Sequence, residues 1–304
     1  MQIEARAPLA RWWIYQRERF PLLAHGPLVM AFSLSALSVS SGLRGTSGFS
    51  FGAGAVALGS SLIFFLLLRV AYEFKDFADD CRYRPYRPVQ RGLVSLRELG
   101  VLGVGAAAVQ LALALALSPN LIPLLIGVWG YFALMSAEFF APERLRRRPL
   151  LYLVSHMAIV PLIDLYATAC DWLVAGAPPP AGLEWFCAAS FFNGIVIEIG
   201  RKVRAPEDEE AGVETYTALW GRPRAMLAWT FALVLAALTG SVTGVLLGAG
   251  WLLAGVFAAF CLVGGVLAAW FVRRPAGRAK TVEAFSGGWT LTLYLGLGLS
   301  AHFG

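Results

Sequence analysis

The chain has 304 residues, of which 58% are hydrophobic and only 14% charged, against about 25% charged in soluble domains. One water-soluble core of this size cannot hide so much apolar surface, so an ordinary soluble protein is excluded. The formal charge of +6 is not a nucleic-acid signal, because the basic residues sit between apolar runs and fit topology and anionic ligands better. The four cysteines show no CxxC pair and no metal-ligand spacing, which leaves neither a disulfide framework nor zinc.

Residues 1–23 are charged and aromatic, unlike the apolar stretch of a cleavable signal. Trp12, Trp13 and Tyr15 beside Arg11, Arg17 and Arg19 predict an interfacial amphipathic segment. Nine windows then reach the roughly 20 apolar residues that a crossing helix needs. They are 24–43, 51–73, 95–117, 121–140, 150–171, 184–203, 223–246, 248–271 and 283–302. No window alternates with the period of a barrel strand. The expected fold is therefore all-α: a polytopic membrane helical bundle of about nine transmembrane helices, forming one transmembrane domain over 1–304.

Lys and Arg set the direction. With these spans, 24 of the 25 basic residues fall on one side and only Arg44 on the other. The positive-inside rule places the basic side in the cytoplasm. The N-terminus is then cytoplasmic and the C-terminus outside, in a bacterial-type inner membrane. Two loops on the basic side, about 73–97 and 201–222, also carry clustered acids, so chemistry is expected there.

The second span ends Arg69-Val-Ala-Tyr72-Glu73-Phe-Lys75-Asp76-Phe-Ala-Asp79-Asp80. If the helix continues, 100° per residue puts Glu73, Asp76 and Asp80 within about 60° of one another, with Arg69 on the same stripe and Asp79 off it. Three carboxylates on one face repel unless a cation joins them. Mg²⁺ suits them, being hard, oxygen-loving and given to bridging carboxylates to phosphates. A solvated acidic helix end is the plainer alternative. Next comes Cys81-Arg82-Tyr83-Arg84-Pro85-Tyr86-Arg87-Pro88-Val89-Gln90-Arg91-Gly92. Its prolines stiffen a loop whose Arg84 and Arg87 offer rigid donor forks to phosphate.

The stretch Tyr72–Gly92 resembles the first aspartate-rich motif of the UbiA superfamily of intramembrane prenyltransferases, Asn-Asp-x-x-Asp-x-x-x-Asp with an Arg-Pro-x-x-x-Gly ending. Asp80 and Asp76 match the last two acids, and Glu73 stands for the first. Tyr72 replaces the Asn, while Arg87, Pro88 and Gly92 match the ending. The nine-helix layout, with active loops after the second and sixth helices, is also similar. The resemblance implies Mg²⁺ on these carboxylates, a prenyl diphosphate whose tail lies in the bundle, and a carbocation-like reaction.

The second loop departs from the family. Gly212–Gly221 resembles the Thr-containing run after the second motif, and Asp208 then matches that motif's last acid. The preceding acid falls on Arg204. Glu198 and Lys202, one turn apart, resemble the family's Tyr-x-x-x-Lys with Glu for Tyr. A solvated acidic loop over Glu207–Glu210 is the alternative.

Deep in the spans, Asp164 and Asn193 are expected to face inward, either lining an acceptor pocket or bonded within the core. His156 is read as a packing histidine. The leading expectation is a Mg²⁺-dependent prenyltransferase. Glu73, Asp76 and Asp80, helped by Asp208 or Glu198, would hold metal. Arg84, Arg87, Lys202 and Arg204 would hold diphosphate, and Asp76, Asp80, Asp208 and Lys202 would carry the catalysis. A lipophilic, often aromatic acceptor and membrane lipids are the remaining partners. A terpene cyclase on the same scaffold and, from another class, a transporter or scaffold are the alternatives.

Overall fold

A computed structural model describes residues 8–46, 48–210, 212–274, 276 and 278–302. Residues 1–7 of the expected interfacial segment, and the C-terminus, lie outside that description. Among the described residues the chain is helical and carries no strand. Eight helical stretches are long and apolar enough to cross a membrane.

The interfacial helix α1 (Pro8–Arg19) precedes α2 (Leu22–Leu43) and α3 (Phe51–Lys75). A short α4 (Phe77–Tyr83) leads into the loop before α5 (Leu96–Leu117) and α6 (Ile122–Ser136). The small helix α7 (Pro142–Arg146) is followed by α8 (Pro149–Met157) and α9 (Ile159–Trp172), which together make one span. They are separate helices because Pro161 offers no N–H to the Met157 carbonyl and its ring crowds it. Then come α10 (Leu183–Arg201), α11 (Tyr216–Leu246), α12 (Gly250–Arg273) and α13 (Ala279–Ser300). The seventh span starts earlier than expected, at Tyr216, and bends at Gly221, whose φ is 73°.

At 22 residues, α13 is as long as its neighbours but is not among the eight apolar stretches. The reason is its position: its polar Ser286 and Thr290 are buried, and it packs against α2, α10, α11 and α12. The face turned to protein tolerates such residues, while Leu291, Leu295 and Leu299 cover the exposed face. Its approach to α2 depends on Gly298, where a Cβ would lie 2.5 Å from Ser35 Oγ and 2.9 Å from Ser35 Cα. Small residues at such crossings let membrane helices touch backbone to backbone. Gly298→Ala is therefore expected to destabilise the bundle by about 1–3 kcal/mol through overpacking. An unchanged thermal midpoint in detergent would show that the α2–α13 contact is looser than described.

Polar locks join other helices. Gln110 on α5 is buried, donates to the Ser60 carbonyl on α3 at 3.0 Å, and accepts from Trp129 Nε1 on α6 at 2.7 Å. Arg44, the lone Lys or Arg at its end of the bundle among the described residues, pairs with Asp171 at 2.9 Å. Most of the other charged residues gather at the opposite end, where α1 docks. Arg11 pairs with Glu98 at 2.5 Å, Glu18 with Arg91 at 2.8 Å, and Arg19 with Glu73 at 2.6 Å. Tyr15 and Phe20 are buried, while Leu9 and Trp13 face outward. The expected amphipathic segment thus also straps the first motif.

Candidate active site

The first motif does not lie on one helix. Asp76 has φ −89° and ψ 6°, and it separates α3 from α4. The helix is interrupted there, yet its i→i−4 bonds continue, from Asp76 N–H to the Tyr72 carbonyl at 3.0 Å and from Asp80 N–H to the Asp76 carbonyl at 2.8 Å, and the acids differ in the partners they find. Glu73 is fully buried; its Oε1 accepts from Arg19 Nε at 2.6 Å and from Arg69 Nη2 at 3.0 Å. Asp80 is buried between Arg84, whose Nη1 lies 3.0 Å from Oδ1, and Arg87, which donates to Oδ2. Asp76 and Asp79 have no ion-pair partner among the described residues and line one cavity. This corrects one expectation: Asp79, exposed beside the stripe, still lines the cavity, whereas Glu73 and Asp80 face arginines. Arg84 and Arg87 are likewise spent on Asp80 and do not line the cavity. Gly92 ends the loop with φ 75°, a left-handed turn that its lack of Cβ allows.

The cavity has a volume of 790 Å³ and opens at the basic end of the bundle. Lys75 and Asp76, at the end of α3, meet Lys202 at the end of α10, so the second and sixth spans do share one site. Phe74, Phe132 and Leu145 add apolar wall. Burial holds the Asp76 carboxyl above the usual carboxylate range; Asp80 adds to this, and Lys75 and Lys202 oppose it.

The second motif is also sorted by burial. Glu198 is nearly buried and clamped by Arg201 at 2.5 Å and Lys202 at 2.8 Å. It faces its own two bases rather than the cavity. Asp208 is exposed in a 3₁₀ turn, Pro206–Asp208, and does not line the cavity. Arg204 turns its Nη1 onto the Arg201 and Val203 carbonyls at 2.8 and 2.9 Å, relieving acceptors at the end of α10. It pairs with none of Glu207–Glu210 and lies off the cavity. Glu209 accepts from the Thr215 and Thr217 hydroxyls instead, which folds the loop onto the start of α11. The two motif loops touch where Gly212, at φ +75°, leaves space for the Tyr83 ring; a Cβ there would lie 2.5 Å from it.

Several cavity residues escaped the sequence reading: Lys75, Asp79, Glu138, Arg146, Tyr152 and Glu214. Glu214 sits one residue from Thr215 in the run that resembles the family, which was a usable signal. Tyr152 and Glu138 carried none. Lys75 Nζ donates to the Tyr152 hydroxyl at 2.8 Å and pairs with Glu138 at 2.7 Å. Glu138, Phe139 and Phe140 are left-handed, with φ of 50°, 52° and 56°. Each such non-glycine residue costs about 1–2 kcal/mol. Contacts hold the turn: Phe139 packs edge-on against Tyr131 and His156, and Glu138 is tied to Lys75. His156 stacks on Tyr152 with centroids 3.8 Å apart, and packs as expected.

Asp164 and Asn193 do not line the cavity. Asp164 is fully buried; its Oδ2 accepts from the Tyr294 hydroxyl at 2.8 Å, which lies 3.2 Å from Ser190 Oγ. Asn193 Oδ1 accepts from Thr290 at 2.9 Å. These bonds tie α9, α10 and α13 together. Of the two readings, the core one is what these hydrogen bonds describe, since both side chains are buried and bonded to neighbouring helices.

Comparison with solved structures gives three close folds. An apo UbiA homolog from Aeropyrum pernix K1 has TM-score 0.69 and 15% identity, over 90% of this chain and 97% of that one. A digeranylgeranylglyceryl phosphate synthase has TM-score 0.65 and 14% identity, over 97% and 99%. A UbiA homolog from Archaeoglobus fulgidus bound to DMAPP and Mg²⁺ has TM-score 0.59 and 16% identity, over 95% and 99%. No curated protein matches by sequence. At these identities the structures speak for the fold, an all-helical membrane bundle. The sequence model of the UbiA prenyltransferase family matches residues 73–291, from the first motif acid to the middle of α13. With most of its length matched, this chain belongs to the UbiA prenyltransferase family.

Proposed function

We propose that the chain is a Mg²⁺-dependent intramembrane prenyltransferase, moving the prenyl group of an isoprenoid diphosphate to a lipophilic, often aromatic, acceptor. The observation that carries this reading is the cavity in which unpaired Asp76 and Asp79 face Lys75 and Lys202 beside apolar wall. The family match and the Archaeoglobus relative bound to DMAPP and Mg²⁺ support it. The charge bias supports a cytoplasmic cavity mouth in a bacterial-type inner membrane. We read the chain as one transmembrane domain.

The donor set fits the metal. No trio of acids gathers to hold an ion among the described residues. Mg²⁺ needs only one or two carboxylates when phosphates and water complete its shell. Asp76 and Asp79 supply those, with Glu214 on the same cavity. Bound there, the ion would neutralise diphosphate oxygens as the C–O bond to the prenyl carbon breaks.

The rest falls to the chain itself. Lys75, Lys202 and Arg146 are the cations facing the cavity, and they would receive the departing diphosphate. Glu198 holds Lys202 in place, as Glu138 holds Lys75. The rings of Tyr152, Tyr216 and Phe132 line the same space and can shelter an allylic cation. Glu73 and Asp80 orient arginines instead of binding metal.

Purified protein should release pyrophosphate from a prenyl diphosphate only with Mg²⁺ and form a prenylated acceptor. Hydrocarbon product without acceptor would favour the cyclase. Neither product, with a folded protein, would refute both.

Asp76 also makes a pH prediction. Its raised carboxyl must ionise to bind a cation, so activity should fall as pH drops through that raised range. More Mg²⁺ should move this acid limb to lower pH, since the ion favours the carboxylate. Pyrophosphate release against pH at two Mg²⁺ concentrations tests it, and superimposed limbs would remove Asp76 from the metal.

A further inference from the structure

We propose a second binding site, on the segment 140–148, for the phosphate headgroup of a lipid in the leaflet at the basic end. It is a binding site only, and it stands whatever reaction the main cavity performs. A separate cavity of 580 Å³ is lined by Phe140, Pro142, Glu143, Arg144, Arg147 and Arg148. The three arginines are exposed, and none takes part in any of the ion pairs among the described residues.

Many other bases at this end are already engaged. Arg19 and Arg69 hold Glu73, Arg84 and Arg87 hold Asp80, and Arg201 and Lys202 hold Glu198. Arg278 lies over the Trp270 ring at 3.2 Å. Three unengaged guanidinium forks around one hollow form an anion site, and their planar donors suit phosphate oxygens.

The ligand must also be amphiphilic. Phe140 is 81% exposed and lines the same hollow, turned there by the left-handed run Glu138–Phe140. Leu150, at 63% exposed, and Leu151 continue an apolar surface at the start of α8. Buried Leu145 anchors α7 from beneath. A phosphate on Arg144, Arg147 and Arg148 with chains along Phe140 and Leu150 matches the hollow's excess of positive charge, three arginines against Glu143, and its apolar flank. Pro142 lines both cavities and Arg146 faces the main one, so the bound lipid would sit at the substrate cavity's rim.

The test uses the full chain in a neutral detergent, with fluorescent dioleoyl phosphatidic acid as probe. The variants are R144Q/R147Q/R148Q and F140A, with R273Q/R274Q as a control of like charge on another loop at the same end. The triple variant is expected to bind about a hundredfold more weakly, roughly fivefold per arginine. F140A should also weaken binding, and the control should bind as wild type does. An equal loss per arginine in the control, which removes two charges rather than three, would reduce the effect to bulk charge and overturn the proposal. Displacement of the probe by equimolar inorganic phosphate or prenyl diphosphate would assign the hollow to a free anion, and would overturn it too. Retained binding by the triple variant, or no binding by wild type, would end it. Lys202→Met, in the main cavity and held by Glu198 rather than by the turn, should leave probe binding intact, so failure here is distinguishable from failure of the prenyltransferase reading.

Discussion

Asp76→Ala is expected to cut pyrophosphate release by about a thousandfold, some 4 kcal/mol of transition-state stabilisation, while the thermal midpoint stays near wild type. The carboxylate has no ion-pair partner to orphan, and burial already disfavours its charge, so removing it costs the fold little. Asp80→Ala should lose activity by another route. It leaves Arg84 and Arg87 facing each other around a buried gap, and breaking such a pair costs about 3–5 kcal/mol. Its loop, whose Val89 and Val94 are buried, should loosen, and the midpoint should fall. Asp79→Ala should resemble Asp76→Ala in kind, with normal stability and impaired turnover, because both line the cavity. Measuring release and thermal midpoint on all three separates these roles. A large stability loss in Asp76→Ala, or a stable Asp80→Ala, would reverse the assignment.

The bundle was largely legible because its signals are additive. A run of about 20 apolar residues needs no neighbour to be read as a span. Arginine counts then order the ends. The exceptions have local causes: Pro161 splits the fifth span, and Lys280, Glu283 and the glycines, serines and threonines of α13 lower its hydropathy. The site was legible in composition but not in assignment. Sequence placed acids and bases at the ends of α3 and α10, where the cavity lies. It could not tell which acid would find an arginine, since that depends on partners far along the chain. Arg19 lies 54 residues from Glu73, and α1 must dock before that acid is taken. Asp76 ends α3 without breaking the backbone bonds on either side of it, and Asp80 is taken by Arg84 and Arg87 from the residues that follow, which leaves Asp76 and Asp79 to the cavity. Glu138 and Tyr152 come from spans with no acidic motif, and only the folded cavity brings them to Lys75.

Lys75→Met is expected to lower kcat by about 10²–10³, comparable to removing one preorganised donor from developing negative charge. An ammonium has three N–H donors. One goes to the Tyr152 hydroxyl and one to Glu138, which leaves the third for a ligand in the cavity. Its two fixed partners restrict the side chain before substrate arrives, so little ordering remains to be done on binding. Glu138→Gln should then have a smaller effect, about tenfold, because Tyr152 still holds the lysine. In the Lys75→Met background the same change should add nothing, since its target is gone. A merely structural ion pair predicts otherwise: both single variants would lower the thermal midpoint together and leave kcat close to wild type. Lys75→Arg sharpens the choice, because it keeps the charge but not the compact geometry and should recover only part of the rate. Steady-state kinetics and thermal midpoints on the four variants decide. Full activity in Lys75→Met would remove the lysine from the site, and with it the reason for the left-handed turn that carries Glu138.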